Sequence, residues 1–312
     1  MNSAEPLPIT ILLGPTASGK TSLSLEIARR AGTEIITADS MQIYRGMDIG
    51  TAKPSPEEQA EVPHHLIDIC EPWERFNVAD FVRRADEAAE KINSSGLPLL
   101  MSGGSALYLK GFIEGIFEAA AYSAEVREQL IRETREVGVW AMHERMARVD
   151  PEAGLRIHAN DLRRIVRALE VYELTGKPIS DWQEQEGQER SGYRFRIFGL
   201  RLPREQLYER INMRVQDMIA RGLVEEVQQL MERGRGMGDG ALQALGYRDM
   251  VAHLRGEMEL DIAINETKKG TRRFAKRQIS WFKRFPNIEW LELNGTEEAG
   301  TLAERLLPDF FG

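Results

Sequence analysis

With 312 residues, 42% of them hydrophobic and 29% charged, this chain is long enough to bury one good core and to carry a second domain. Its single cysteine, Cys70, excludes an intrachain disulfide and any cysteine-built zinc site. The cysteine usage makes the cytoplasm the expected compartment, and with no apolar run reaching the roughly 18 residues of a membrane span no membrane partner is expected. The net charge of −8 argues against a surface that binds nucleic acid everywhere, but eight Lys or Arg and no acid fall between Lys268 and Arg284. A further cluster, Arg163, Arg164 and Arg167, lies mid-chain, and such local surfaces suit a phosphate-rich polymer.

In chain order, Met1 to Pro8 is short and polar and predicts no signal peptide. Ile9 to Leu13 reads as a buried strand, and Thr21 to Arg30 has helical spacing. Between them stands Gly14-Pro15-Thr16-Ala17-Ser18-Gly19-Lys20-Thr21, a complete G-x-x-x-x-G-K-[ST] phosphate loop in its confirming strand–turn–helix context. The glycines let successive N–H groups face inward, and the positive end of the helix lies behind them. Lys20 adds a point charge, and the Thr21 hydroxyl is placed to hold Mg²⁺ bridging two phosphates. The loop predicts phosphate or diphosphate binding; it does not require phosphoryl transfer.

Glu34 to Ala38 is a second strand ending at Asp39-Ser40, where a parallel α/β sheet binds its ligands. Asp39 is therefore a candidate chemical group, with a helix cap or turn as the plainer reading. Met41 to Pro54 reads as a functional loop in which Tyr44, Arg45 and Lys53 could meet a ligand, or Tyr44 could pack down. His64 and His65 are adjacent, point to opposite faces of a strand, and make a poor metal pair. Asn77 to Ile92 is an amphipathic helix. Leu97 to Met101 is a strand running into Ser102-Gly103-Gly104-Ser105, where Ser105 either caps the next helix or offers its hydroxyl to substrate.

From Tyr122 to about Arg190 the chain is helical and charged, with helices predicted over Ser123–Glu136, Val139–Val149 and from Asn160 or Asp161 to Leu174. This divides the chain into a first core part, 1–121, a helical insertion, 122–190, and a return to the core, 191–312. Tyr193 to Leu200 is a strand, Arg204 to Glu232 one long helix, and 233–240 glycine-rich. Leu242 to Leu254 is mostly helical, and Leu260 to Phe285 is a long basic helix with Trp281, Phe282 and Phe285 as core anchors. Ile288 to Leu293 adds a last strand and Thr301 to Leu307 a closing helix. The expected class is α/β: a P-loop NTPase-like core with a central, mainly parallel sheet and an inserted all-helical domain.

Together these segments resemble the bacterial tRNA dimethylallyltransferase family. The match is carried by GPTASGKT at Gly14 to Thr21, ADSMQIYRGMDIGTAKP at Ala38 to Pro54, PHHLIDI at Pro63 to Ile69 and SGGSALY at Ser102 to Tyr108. HANDLRRIVRALEV at His158 to Val171, LGYRDM at Leu245 to Met250 and KGTRRFAKRQISWF at Lys269 to Phe282 continue it in family order. The resemblance implies transfer of a dimethylallyl group from dimethylallyl diphosphate to N6 of adenosine 37 in tRNA, release of diphosphate, dependence on Mg²⁺, and a helical insertion that grips the anticodon stem-loop. No obligate protein partner is expected. Three departures stand out: Ser105 where threonine is usual, Arg163 where glutamine is common, and a Gly115 to Ser123 stretch without the usual prolines.

On this reading the phosphate loop holds a leaving group. An adenine amine is a poor nucleophile, so the departing diphosphate needs charge neutralisation, supplied by the Gly14 to Thr21 backbone, Lys20 and Mg²⁺ on Thr21. Asp39 is the expected general base, and Ser105 helps place the amine or the diphosphate. Arg127 resembles a further residue of the active-site channel. Ser40, Met41 and Gln42 and the run Arg163, Arg164, Ile165, Val166 and Arg167 are expected to line the path of the flipped nucleotide, and the segment Gln243, Ala244, Leu245, Gly246, Tyr247 and Arg248 resembles the one that contacts the bases flanking the target. The rival readings are a P-loop small-molecule kinase, which would consume ATP, and an adenylate isopentenyltransferase acting on free nucleotides.

Overall fold

A computed structural model describes residues 5–116, 123–183 and 190–311. The chain divides into two compact units, residues 1–113 with 190–312 and residues 114–189. The first is built on one six-stranded sheet whose strands are β1 (Leu7–Leu13), β2 (Ile35–Ala38), β3 (His64–His65), β4 (Leu99–Gly103), β5 (Tyr193–Arg201) and β6 (Ile288–Glu292). Their order across the sheet is β3-β2-β4-β1-β5-β6, and every pairing is parallel. β1, β2 and β4 are almost wholly apolar and buried, as strands covered on both faces must be.

Helices α1 (Lys20–Ala31), α2 (Pro56–Glu61), α3 (Val78–Ser94) and α4 (Ala106–Glu114) connect the first strands. Asn77 caps α3 by accepting the Ala79 and Asp80 N–H groups, and the Asp80 carboxylate returns a bond to the Asn77 N–H. The register places Ala38 beside Gly103 and Gly103 beside Leu13. Asp39, Gly104 and Gly14 therefore leave the sheet side by side at its carboxyl edge. Gly103 has a steric reason to be glycine: a Cβ there would come within 2.1 Å of the Ala38 carbonyl oxygen.

The second unit is helical: α5 (Ala124–Val149), α6 (Pro151–Arg156), α7 (Leu162–Thr175) and α8 (Ile179–Gln183). Gly138, at φ 85° and ψ 157°, breaks α5 into the two helices that the sequence separates there. Asp150, 1% exposed, accepts the Ala153 N–H at 2.8 Å, the Ser180 N–H at 3.0 Å and the Ser180 hydroxyl at 2.8 Å, tying the start of α6 to α8. Its core includes Leu130, Met142, Met146, Ile165, Val166 and Leu169. Most of the Gly115 to Ser123 stretch, 117–122, and the residues 184–189 before Arg190 lie outside the described residues.

After β5 the first unit continues with α9 (Arg204–Ala220), α10 (Leu223–Glu232), a short 3₁₀ turn over Ala241–Gln243, α11 (Tyr247–Leu254), α12 (Leu260–Phe282) and, past β6, α13 (Ala299–Phe310). The single helix expected from Arg204 to Glu232 is two, because Gly222 at φ 98° turns the backbone into the left-handed region. Gly246 at φ 90° likewise separates the 3₁₀ turn from α11, whereas Gly270 does not interrupt α12. Phe282 and Phe285 are buried as core anchors, and Trp281 is half-buried.

Candidate active site

The phosphate loop opens α1. Gly19 sits at φ 89° and Ala17 at φ 63°, so two successive turns of the loop curl inward. No side chain caps the helix, and its first amides are left for an anion. The Ser18 hydroxyl is buried with no hydrogen-bond partner among the described residues, an uncommon state that a bound ligand would relieve.

A cavity of about 310 Å³ lies over this loop. Pro15 to Ser22, Asp39, Gln42, Thr51 and Ala52 line it, together with Gly104, Arg214, Phe274 and Gln278. Asp39 thus shares one pocket with the loop, as two strand spacings, roughly 10 Å, along the carboxyl edge would allow. Its Oδ1 accepts the Met41 N–H at 2.9 Å and the Gln42 N–H at 3.4 Å, which orients the carboxylate and leaves Oδ2 to a ligand.

Three charges meet here. Burial pushes the Lys20 ammonium below its ordinary pKa, the Asp39 carboxylate pulls it back up, and Arg214 adds to the depression. Burial also lowers the Arg214 guanidinium, with Asp39 again opposing. Two cations held in partial desolvation around one carboxylate form a site short of negative charge, which a diphosphate would supply.

Ser105 does not line the cavity. Its Oγ accepts the Ser40 N–H at 2.8 Å and donates to the Ser40 hydroxyl at 3.1 Å, so it fixes the turn that carries Asp39. The Gln42 amide donates to the Thr51 and Ala52 carbonyls at 3.2 and 3.3 Å. Those bonds close the 42–52 loop on itself, and Gln42, Thr51 and Ala52 face the cavity. Tyr44 is packed into the core, and the buried Lys53 ammonium bonds Tyr44 O, Asp48 and Asp68, so both are engaged within the fold.

Other expectations need correction. Tyr247 is fully buried, its ring against Gly50 and its hydroxyl 2.6 Å from Glu226; Ala244 and Gly246 are buried beside it. Of the segment Gln243 to Arg248, only Gln243 and Arg248 are exposed, with Leu245 half-buried. The Glu226 carboxylate also accepts the N–H groups of Asp48, Ile49 and Gly50, so the YRGMDIG and LGYRDM segments are joined by packing.

In the helical unit Ile165 and Val166 are core, while Arg163 and Arg164 are exposed. Arg127 and Arg167 both bond the buried Glu170 carboxylate at 2.9 Å. On α12, Lys269, Arg273, Lys276 and Arg277 form an exposed basic face, whereas Arg272 bonds Asn212.

Arg214, Phe274 and Gln278 are absent from the sequence-based site. Nothing near Arg214 in the sequence announces a ligand; Phe274 and Gln278 lie in the basic 268–284 run, which reads as an RNA surface, and their four-residue spacing puts them on one helix face.

Among the described residues no three His, Cys, Asp or Glu gather to hold a metal. Mg²⁺ does not need such a cage, since it is held by one or two protein oxygens with substrate phosphates and water. The Thr21 hydroxyl and the Asp39 carboxylate in one pocket fit that demand.

The model of the family described as IPP transferase matches residues 42–285. A tRNA dimethylallyltransferase of Syntrophobacter fumaroxidans is 47% identical over 303 residues, 97% of this chain and 89% of that relative. The tRNA isopentenylpyrophosphate transferase of Bacillus halodurans has a TM-score of 0.70 and 37% identity, covering 98% of this chain and 96% of its own. A eukaryotic dimethylallyltransferase acting on tRNA has a TM-score of 0.81 and 25% identity, with 96% of this chain and 77% of that one covered. With its phosphate loop, its neighbouring aspartate and a match along nearly its whole length, the chain belongs to the IPP transferase family.

Proposed function

We propose that this chain transfers the dimethylallyl group of dimethylallyl diphosphate to N6 of adenosine 37 in tRNA, giving N6-isopentenyladenosine and diphosphate. The observation that carries the reading is the shared pocket of phosphate loop and Asp39, with Lys20 and Arg214 beside the carboxylate.

The diphosphate lies on the loop amides, and Lys20 and Arg214 neutralise the charge that builds as the C–O bond breaks. Mg²⁺, when bound by Thr21, supplies further neutralisation of the leaving group. Asp39 accepts the N6 proton through Oδ2 and aims the amine at the allylic carbon. Ser105 acts one step back, as a positioning residue that fixes Ser40. Phe274 gives the cavity an apolar wall, which keeps water from the activated carbon.

The helical unit, with Arg163 and Arg164 exposed, and the basic face of α12 bind phosphates of the anticodon stem-loop, so affinity falls with salt. Arg127 and Arg167, held by Glu170, shape that unit. The test is incubation with unmodified tRNA, Mg²⁺ and labelled dimethylallyl diphosphate, followed by nucleoside analysis. Label in an N6-prenylated adenosine is the expected result; cleavage of ATP with unlabelled RNA would instead support a kinase.

A further inference from the structure

Beyond the strand ends, the segments that build the pocket leave their ladder. β4 lies between β1 and β2, and its last pairs set Gly103 beside Leu13 and beside Ala38. On the β2 side Ser105 carries the junction on: its N–H donates to the Ala38 carbonyl at 3.2 Å and its Oγ accepts the Ser40 N–H at 2.8 Å. On the β1 side the junction is carried on by Gln278 of α12, 174 residues past Gly104.

Gln278 is 5% exposed and both ends of its amide are used. Its Oε1 accepts the Thr16 N–H at 2.9 Å, and its Nε2 donates to the Gly104 carbonyl at 2.9 Å. The partners fix the amide's orientation, since a backbone N–H only donates and a carbonyl only accepts. A glutamate would set an acceptor against the Gly104 carbonyl, and an apolar side chain of the same bulk would take both bonds away. Gly104 makes room for the carboxamide: its φ is not left-handed, yet a Cβ there would lie 2.6 Å from Gln278 Nε2.

One carboxamide thus joins the two halves of the reaction. Thr16 belongs to the loop that takes the leaving group, and Gly104 is followed by Ser105, which holds the turn carrying Asp39. We infer that Gln278 is a positioning residue that sets the separation between the diphosphate on the loop and the amine on Asp39. The inference rests on the prenyl-transfer reading above. Each reactant needs only its own half of the pocket to bind, but reaction needs both halves in register, and a misplacement of about 1 Å can cost on the order of 10²-fold in rate.

The test is single-turnover prenylation of unmodified tRNA at saturating donor, with pyrophosphate and tRNA affinities measured on the same samples. Gln278→Met keeps the bulk without the bonds. Gly104→Ala leaves α12 untouched and displaces the carboxamide. Each should slow transfer about 10- to 100-fold while both affinities stay within about threefold of wild type. Because the two substitutions break one contact, the double mutant should be about as slow as the slower single mutant rather than showing the product of the two losses.

A folded Gln278→Met or Gly104→Ala protein that transfers at the wild-type rate overturns the inference. So does loss of pyrophosphate affinity in parallel with transfer, which would make Gln278 part of the anion site, or a double mutant whose losses multiply. A wild type that prenylates no RNA overturns the functional reading and this inference with it, whereas a wild type that does so, matched by its variants, overturns this inference alone.

Discussion

Glu226→Gln tests whether the wall of the pocket is held from outside it. The wild-type carboxylate accepts four donors: the N–H groups of Asp48, Ile49 and Gly50 at 3.0, 2.7 and 3.3 Å, and the Tyr247 hydroxyl at 2.6 Å. The Asp48 bond is exposed, and water can replace it at little cost. The glutamine amide keeps one acceptor oxygen but turns its NH2 toward two of these donors, and one donor left facing it beside the fully buried Tyr247 costs about 1–3 kcal/mol. The half-buried Ile49 and Gly50 bonds to a charged acceptor add about 1 kcal/mol between them after competition with water. The total is about 3 kcal/mol, or a fall of roughly 6–12 °C in Tm for a unit of this size.

The loop just beyond the clamp carries Thr51 and Ala52 into the cavity, with Ala52 at φ 47°, a strained geometry that persists only where its surroundings enforce it. Activity should therefore fall together with stability. Tyr247→Phe, which removes one bond and leaves the ring on Gly50, should cost about 1 kcal/mol. The Glu226/Tyr247 double mutant should fall short of the sum. Calorimetric melting of the four proteins reads all of this, and an unchanged Tm in Glu226→Gln would refute the clamp.

Three further perturbations probe other contacts of the fold. Gly103→Ala sets a Cβ 2.1 Å from the Ala38 carbonyl oxygen, a backbone atom that cannot move without parting β2 from β4; it should destabilise by about 3 kcal/mol or more in urea unfolding. Lys20→Met should make the unliganded protein more stable at neutral pH while abolishing pyrophosphate binding. The lysine's folded pKa lies below its unfolded value, so the folded state holds fewer protons between the two. The burial penalty is full below the folded pKa and disappears as pH rises toward the unfolded value, so the stability gap between the variant and wild type should narrow on going alkaline; a pH-independent gap would contradict this. Asp150→Ala removes three bonds that are confined to the helical unit and should loosen that unit by about 2–4 kcal/mol. Hydrogen exchange should show the effect within 123–183, and pyrophosphate binding should survive.

What the sequence made legible was local. The phosphate loop, the strand end before Asp39, the break near Gly138 and a capped start of α7 at Asn160 or Asp161 each follow from a few neighbouring residues. The residues that remained hidden come from a distance. Arg214 on α9, and Phe274 and Gln278 on α12, reach the loop only because β5 returns beside β1 and brings the later helices back over the sheet edge.

Basic and aromatic residues in a long helix look alike whether they face a ligand, a partner or solvent, so the KGTRRFAKRQ segment read as an RNA surface when part of it is pocket wall. Tyr247 failed in the opposite way. A conspicuous motif suggested contact with RNA, but the tyrosine's partner is Glu226, 21 residues earlier, and its task is packing against Gly50. The split at Gly222 was missed because a single glycine costs a helix only about 1 kcal/mol, and tertiary packing decides whether the helix continues.

The central claim is that leaving-group binding and amine activation are separate tasks of one pocket, divided between the phosphate loop and Asp39. Single-turnover prenylation of unmodified tRNA by Asp39→Asn, with pyrophosphate affinity measured on the same sample, tests it most directly. Affinity within about threefold of wild type together with a transfer rate reduced about 10²–10⁴-fold is the predicted result. A variant that transfers the prenyl group at the wild-type rate, or that loses pyrophosphate binding in parallel with transfer, would contradict that division.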